Sequence, residues 1–217
     1  MANYGSGGRG IGFGSIPPVI KNLLIINGLV WLAQISFGKQ GFFLENYGAL
    51  FSIQTGLFKV WQLITYMFMH QALDTNGDIV FAHILFNMFA LWMFGTTLEN
   101  FWGSKRFLTF YMLCGIFAGV AQLIMSPHGS AIGASGAIMG ISAAYAYLFP
   151  NTELFIMFIP VPVKAKYVIP FFVALDIFGG FTDTAGDNVA HWAHLGGALA
   201  GLIICIIWNK TNRKNFY

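Results

Sequence analysis

Six stretches of this chain, near 19–37, 79–98, 107–125, 131–149, 165–181 and 189–208, are long and apolar enough, or nearly so, for a helix to cross hydrocarbon. Such a crossing takes about 20 residues at a rise of about 1.5 Å each. Composition makes the soluble alternative untenable. The 217 residues are 57% hydrophobic and 9% charged, and 11 Lys+Arg with 8 Asp+Glu cannot cover the surface of a soluble domain of this size. The same scarcity excludes a disordered protein and a nucleic-acid binder with a basic patch. Cys114 and Cys205 both fall inside the apolar stretches, so neither a disulfide framework nor a zinc site is implied.

The expected fold class is all-α: a polytopic membrane protein of six transmembrane helices with a long interfacial first loop. Residues 1–16 are a Gly- and Ser-rich tail without the apolar core of a secretory signal, so nothing is expected to be cleaved off; 17–209 form the membrane domain and 210–217 a basic tail. Lys21, Asn27 and Gln34 dilute the first span, while the fifth is short, carries Asp176 and follows a Pro-broken stretch from Ile159 to Val163. Residues 38–78 make the long loop, whose aromatic segment Phe58 to Met69 suits headgroup depth better than a seventh crossing. Six alternating crossings collect nine cations on one side (Arg9, Lys21, Lys105, Arg106, Lys164, Lys166, Lys210, Arg213 and Lys214) against Lys39 and Lys59 on the other. That bias puts both termini in the cytoplasm and the first loop outside, with Glu45, Asp74, Asp78, Asp183 and Asp187.

Polar side chains inside a span are costly and by default mark function. His83 and Asn87 in the second span, Ser135 in the fourth and His191 and His194 in the sixth all enter from the outer face. His83, Ser135 and His194 each lie on the order of 6 to 8 Å below the expected span start. His83 and Asn87 share a stripe at i and i+4, as do the small-residue pairs Gly136/Gly140 and Gly197/Gly201, which let two backbones approach closely. A serine and an imidazole then come within reach, and a neighbouring base is what turns an alcohol into a nucleophile. The plainer readings are a serine bonded to its own helix, histidines bridging helices and ordinary glycine seams.

Gly133-Ala134-Ser135-Gly136, His83-Ile84-Leu85-Phe86-Asn87 and Ala193-His194-Leu195-Gly196-Gly197 through Gly201 resemble the signatures of the rhomboid intramembrane serine proteases, in that family's order, over roughly residues 60–208. The resemblance implies that Ser135 is the nucleophile and His194 the general base, a dyad with no acidic third member. It further implies an oxyanion site of His83, Asn87 and the backbone N–H of Ser135. No cofactor or metal is implied. The expected partners are the lipid bilayer and single-span membrane protein substrates, not nucleic acid. The compact layout resembles bacterial members and points to the plasma membrane.

No carboxylate lies level with His194 in the second or fourth span, which agrees with a dyad, and His191 is expected to have a secondary hydrogen-bonding role. Where the family commonly has Trp-Arg, this chain reads Trp61-Gln62, so any loop-shaping role of that arginine is absent; Met139 stands where relatives often set an aromatic ring against the histidine. His70 matches a family histidine before the second helix, and Glu99 reads as an ion-pair partner of Lys105 and Arg106. The short fifth helix with Gly179, Gly180 and Gly186 is the expected gate. Rival readings are a channel or transporter, a metal site of His70, His83, His191 and His194, and a catalytically silent rhomboid-like scaffold. An aspartyl protease is excluded because only Asp176 lies within a span.

Overall fold

A computed structural model describes residues 16–126, 129–155, 161–182 and 189–213. The expectations for both tails, and for Asp183, Gly186 and Asp187, fall wholly or largely outside the described residues. The long elements are α1 (Pro18–Gly38), α4 (Ala82–Trp102), α5 (Ser104–Met125), α6 (Ser135–Leu148), α7 (Ala165–Thr182) and α8 (His191–Arg213). Between α1 and α4 lie two one-turn helices, α2 (Glu45–Gly48) and α3 (Gln62–Thr65), and a short strand β1 (Leu50–Phe51). β1 pairs antiparallel with β2 (Ser130–Ala131), and β3 (Glu153–Phe155) with β4 (Pro162–Lys164) ahead of α7.

Among the described residues four helices are long and apolar enough to cross a membrane: α1, α5, α7 and α8 up to Thr211. The other two are those expected as the second and fourth spans. α4 has the length, but His83, Asn87 and Glu99 dilute it. α6 has only 14 residues, about 21 Å of helix against a core of about 30 Å. The expected start of α6 at residue 131 is corrected to Ser135. Ser130 and Ala131 are taken up by the pairing with β1, and Gly133 has φ +118°, outside the helical region. α4 and α5 nearly abut, with only Gly103 between them at φ +79°, where an L side chain would be strained.

α6 and α8 lie back to back along the expected glycine seam. A Cβ on Gly197 would run into the carbonyl of Gly136, one on Gly201 into the backbone of Gly140, and one on Gly140 would sit 2.8 Å from the Gly197 carbonyl oxygen. α5 closes the third side, with Ala118 against Gly136 and Cys114 against Gly140. At the end where α4 meets α5, Trp102 packs at a tilt on Phe110 (4.8 Å) and edge-on to Trp208 (5.7 Å), and Arg106 covers Trp208 at 4.3 Å. That aromatic cluster lies at the end remote from His83 and Ser135.

Glu99 departs from its expected ion-pair role. It is buried and accepts the N–H groups of Val19 (3.0 Å) and Ile20 (2.8 Å) and the hydroxyl of Ser104 (2.7 Å). A carboxylate from α4 thus caps the first turn of α1, whose own N-cap, Pro17, makes no side-chain cap.

Gly197→Val would force the α6–α8 backbones apart. An overpacking cost of about 3 kcal/mol corresponds to a melting temperature in detergent lower by about 10 °C for a chain of this size. Gly28→Ala, on an open face of α1, should leave it unchanged or slightly higher.

Candidate functional site

The first loop builds the approach to Ser135. Gln62, buried on α3, accepts the N–H groups of Phe51 (3.3 Å) and Lys59 (3.1 Å) and donates to the Leu57 carbonyl (3.2 Å). The residue expected to leave the loop without a shaping side chain therefore organises it. Tyr66 is buried, donates its hydroxyl to the Gly115 carbonyl (2.6 Å) and accepts the N–H of Gly133 on its own carbonyl (2.9 Å). β1 holds β2 on the same side. Trp61, Val60 and Leu57 are exposed on this loop. Gln34 of α1 clamps the loop's far end, its amide N–H donating to the His70 carbonyl (2.8 Å) and its oxygen accepting the His70 N–H (3.0 Å).

Ser135 is the first residue of α6, so the first-turn N–H groups have no partner within the helix and point toward whatever sits above the serine. His83 is the second residue of α4 and His194 the fourth of α8. All three thus sit in the first turn of a helix, where the backbone dipoles favour negative charge. Ser135 Oγ lies 2.7 Å from His194 Nε2.

The tautomers follow from the partners. His83 Nδ1 accepts the N–H of Gln71 at 3.2 Å, which in a neutral ring leaves the proton on Nε2. A Cβ on Gly133 would be 2.8 Å from that Nε2 and 3.7 Å from Ser135 Oγ, so His83 and the serine flank the same small space. Asn87 lies one turn deeper, buried, with its amide donating to the His83 carbonyl at 2.8 Å. His70, buried edge-on to His83 at 5.0 Å, supports that ring from behind.

One group at this site was not read from the sequence. Asp176 Oδ1, on α7, lies 2.9 Å from His194 Nδ1 and 2.8 Å from His191 Nδ1. A carboxylate only accepts, so both rings carry Nδ1–H, and His194 presents the Nε2 lone pair to the Ser135 hydroxyl. The carboxylate comes from the fifth long helix, not from the second or fourth; its position inside an otherwise apolar span was the available signal. His191 has the hydrogen-bonding role expected of it. The glycines expected to loosen a gate have another use: Gly179 lies under the His191 ring and Gly180 under Trp192, where a Cβ would collide or crowd.

Residues 57–210 match the family model described as Rhomboid domain. The chain belongs to the rhomboid family. This rhomboid is a polytopic helical membrane protein. It is 34% identical over 142 residues to Rhomboid protease GluP of Bacillus subtilis (strain 168), covering 65% of this chain and 24% of that one. It is 29% identical over 177 residues to the mitochondrial Rhomboid protein 1 of Saccharomyces cerevisiae, covering 71% and 51%. To the mitochondrial Presenilin-associated rhomboid-like protein of Rattus norvegicus it is 33% identical over 135 residues, covering 60% and 35%. The matches thus span about a quarter to a half of these relatives' lengths.

Gly133→Ala should lower the melting temperature in detergent by about 5 °C, since its Cβ crowds His83 and its φ is strained by about 1–3 kcal/mol. An unchanged melting temperature would contradict this account of the pocket. Burial, with a smaller contribution from His83, pulls the His70 imidazole down to about 3. The folded chain keeps that ring neutral while the unfolded chain takes up a proton near pH 6.5. Its stabilising contribution is therefore whole above about pH 6.5 and lost as the pH falls toward 3. Melting curves between pH 7.5 and 4.5 should flatten in His70→Phe relative to the unmutated protein.

Proposed function

We propose that this rhomboid is a serine endopeptidase that cleaves transmembrane or membrane-adjacent peptide segments, with Ser135 as nucleophile and His194 as general base. The observation that carries the reading is the 2.7 Å Ser135 Oγ–His194 Nε2 contact inside a bundle of apolar helices. In the reaction the Oγ–H bond breaks as Oγ bonds to the substrate carbonyl carbon. The proton passes to Nε2, and the carbonyl π pair becomes the oxyanion. His83 Nε2–H and the first-turn N–H groups of α6 are oriented to receive that charge, and Asn87 lies on the same helix face as His83. Collapse returns the proton from Nε2 to the leaving amine and forms an acyl-enzyme, which water then hydrolyses by the same exchange.

Ser135 and His194 keep partial exposure, which water needs. α7 is the proposed lateral gate: its described buried residues are only Ala165, Val168, Ile169 and Asp176, so little surface must be uncovered to move it. The nine-to-two cation bias supports six crossings with cytoplasmic termini, which would put Ser135 near the outer face.

Ser135→Ala in reconstituted vesicles should abolish cleavage of a single-span substrate and labelling by a serine-directed fluorophosphonate, with melting unchanged. Cleavage at the unmutated rate would refute the assignment. A channel or transporter would instead conduct solute undiminished after loss of one hydroxyl, and a silent scaffold would take no label.

A further inference from the structure

We propose that Asp176 is a positioning residue for the Ser135–His194 pair, so that the site works as a relay of three groups whose acid is carried by α7 and shared with His191. The proposal rests on the serine-protease reading above and adds a member to it. Its basis is a continuous line of contacts: Asp176 Oδ1 to His194 Nδ1 at 2.9 Å, and His194 Nε2 to Ser135 Oγ at 2.7 Å. The carboxylate does two things that neither Ser135 nor His194 can do alone. It holds the imidazole in the Nδ1–H tautomer, leaving the other nitrogen free to take the serine proton. It also sets a negative charge beside the imidazolium formed when that proton arrives, without itself accepting the proton. Asp176 is 8% exposed and both histidines are partly covered, so the interaction is shielded from water.

A purely structural strut between α7 and α8 needs only the Asp176–His191 contact. The bond to His194 goes beyond that need. It also supplies what Met139 does not, since the ring expected to rest on soft packing is held by a directional bond instead. The groups facing His194 are Asp176 from α7, His191 on its own helix, Ser135 from α6 and His83 from α4. α5 faces this turn with Gln122, whose oxygen accepts the Ala193 N–H at 3.2 Å. Of these, Asp176 is the anion, and its bond is the one that sets which ring nitrogen of His194 carries the proton.

The test compares Asp176→Asn with the unmutated protein in reconstituted vesicles, using a fluorogenic single-span substrate. Expected are a kcat lower by about 10²-fold or more, a KM within about threefold, an unchanged melting temperature, and histidine 15N shifts that show the His194 proton moved off Nδ1. An unchanged kcat would overturn the proposal. So would a fall in activity accompanied by a lower melting temperature or higher KM while His194 keeps Nδ1–H, which is the signature of a strut. Should the variant not fold, histidine 15N shifts of the unmutated protein decide. Nδ1–H with a bare Nε2 on His194 at neutral pH supports the relay, and the opposite tautomer overturns it. Ser135→Ala run in parallel separates the two readings: if it still cleaves, the protease assignment has failed, whereas if it is dead and Asp176→Asn is normal, only the relay has.

Discussion

Two glycine-lined helices in this bundle approach until backbone meets backbone, and the chemistry at one end depends on that approach. Gly197 against Gly136 and Gly201 against Gly140 bring α8 onto α6 more closely than any side chain larger than hydrogen allows. Hydrocarbon offers little hydrophobic drive for one helix to seek another, so association relies on close fit and on polar bonds across the contact. The seam fixes the spacing of the two axes, and the serine and imidazole meet above it at 2.7 Å.

Polar side chains elsewhere are spent on backbone groups that the bundle would otherwise bury unpaired. Glu99 takes first-turn N–H groups of α1, Gln34 takes both backbone groups of His70, and Gln62 ties Phe51 to the Leu57–Lys59 segment of the first loop. Each unsatisfied group in an apolar setting costs a few kcal/mol, so these contacts decide where the connecting segments lie. Through Tyr66 and β1 the same loop sets the turn ahead of Ser135. Ser135 is therefore held from two directions, by the seam below and by the loop beside it.

The apolar runs and the glycine spacing made the helices and the α6–α8 contact legible in the sequence, because both are periodic and local. The pairing of Ser135 with His194 was legible through depth and through the family signatures. The start of α6 was not. Ser130 and Ala131 look like helix in an apolar run, and only the distant Leu50–Phe51 segment turns them into a strand. Glu99 was misread for a similar reason: cations beside it in sequence stood in for partners some eighty residues away. Asp176 was visible as a polar residue in a span, but which helix face it occupied depended on the packing of α7 against α8, which no single segment encodes.

α7 presents Phe171, Phe178 and Phe181 outward and contributes little to the core, yet it carries the one carboxylate that touches His194 among the described residues. Any excursion of that helix lengthens two short bonds at once. In the protease proposed above, bond cleavage and admission would then fall at separate moments: the base would be fully oriented only after the newcomer is enclosed and the helix has returned.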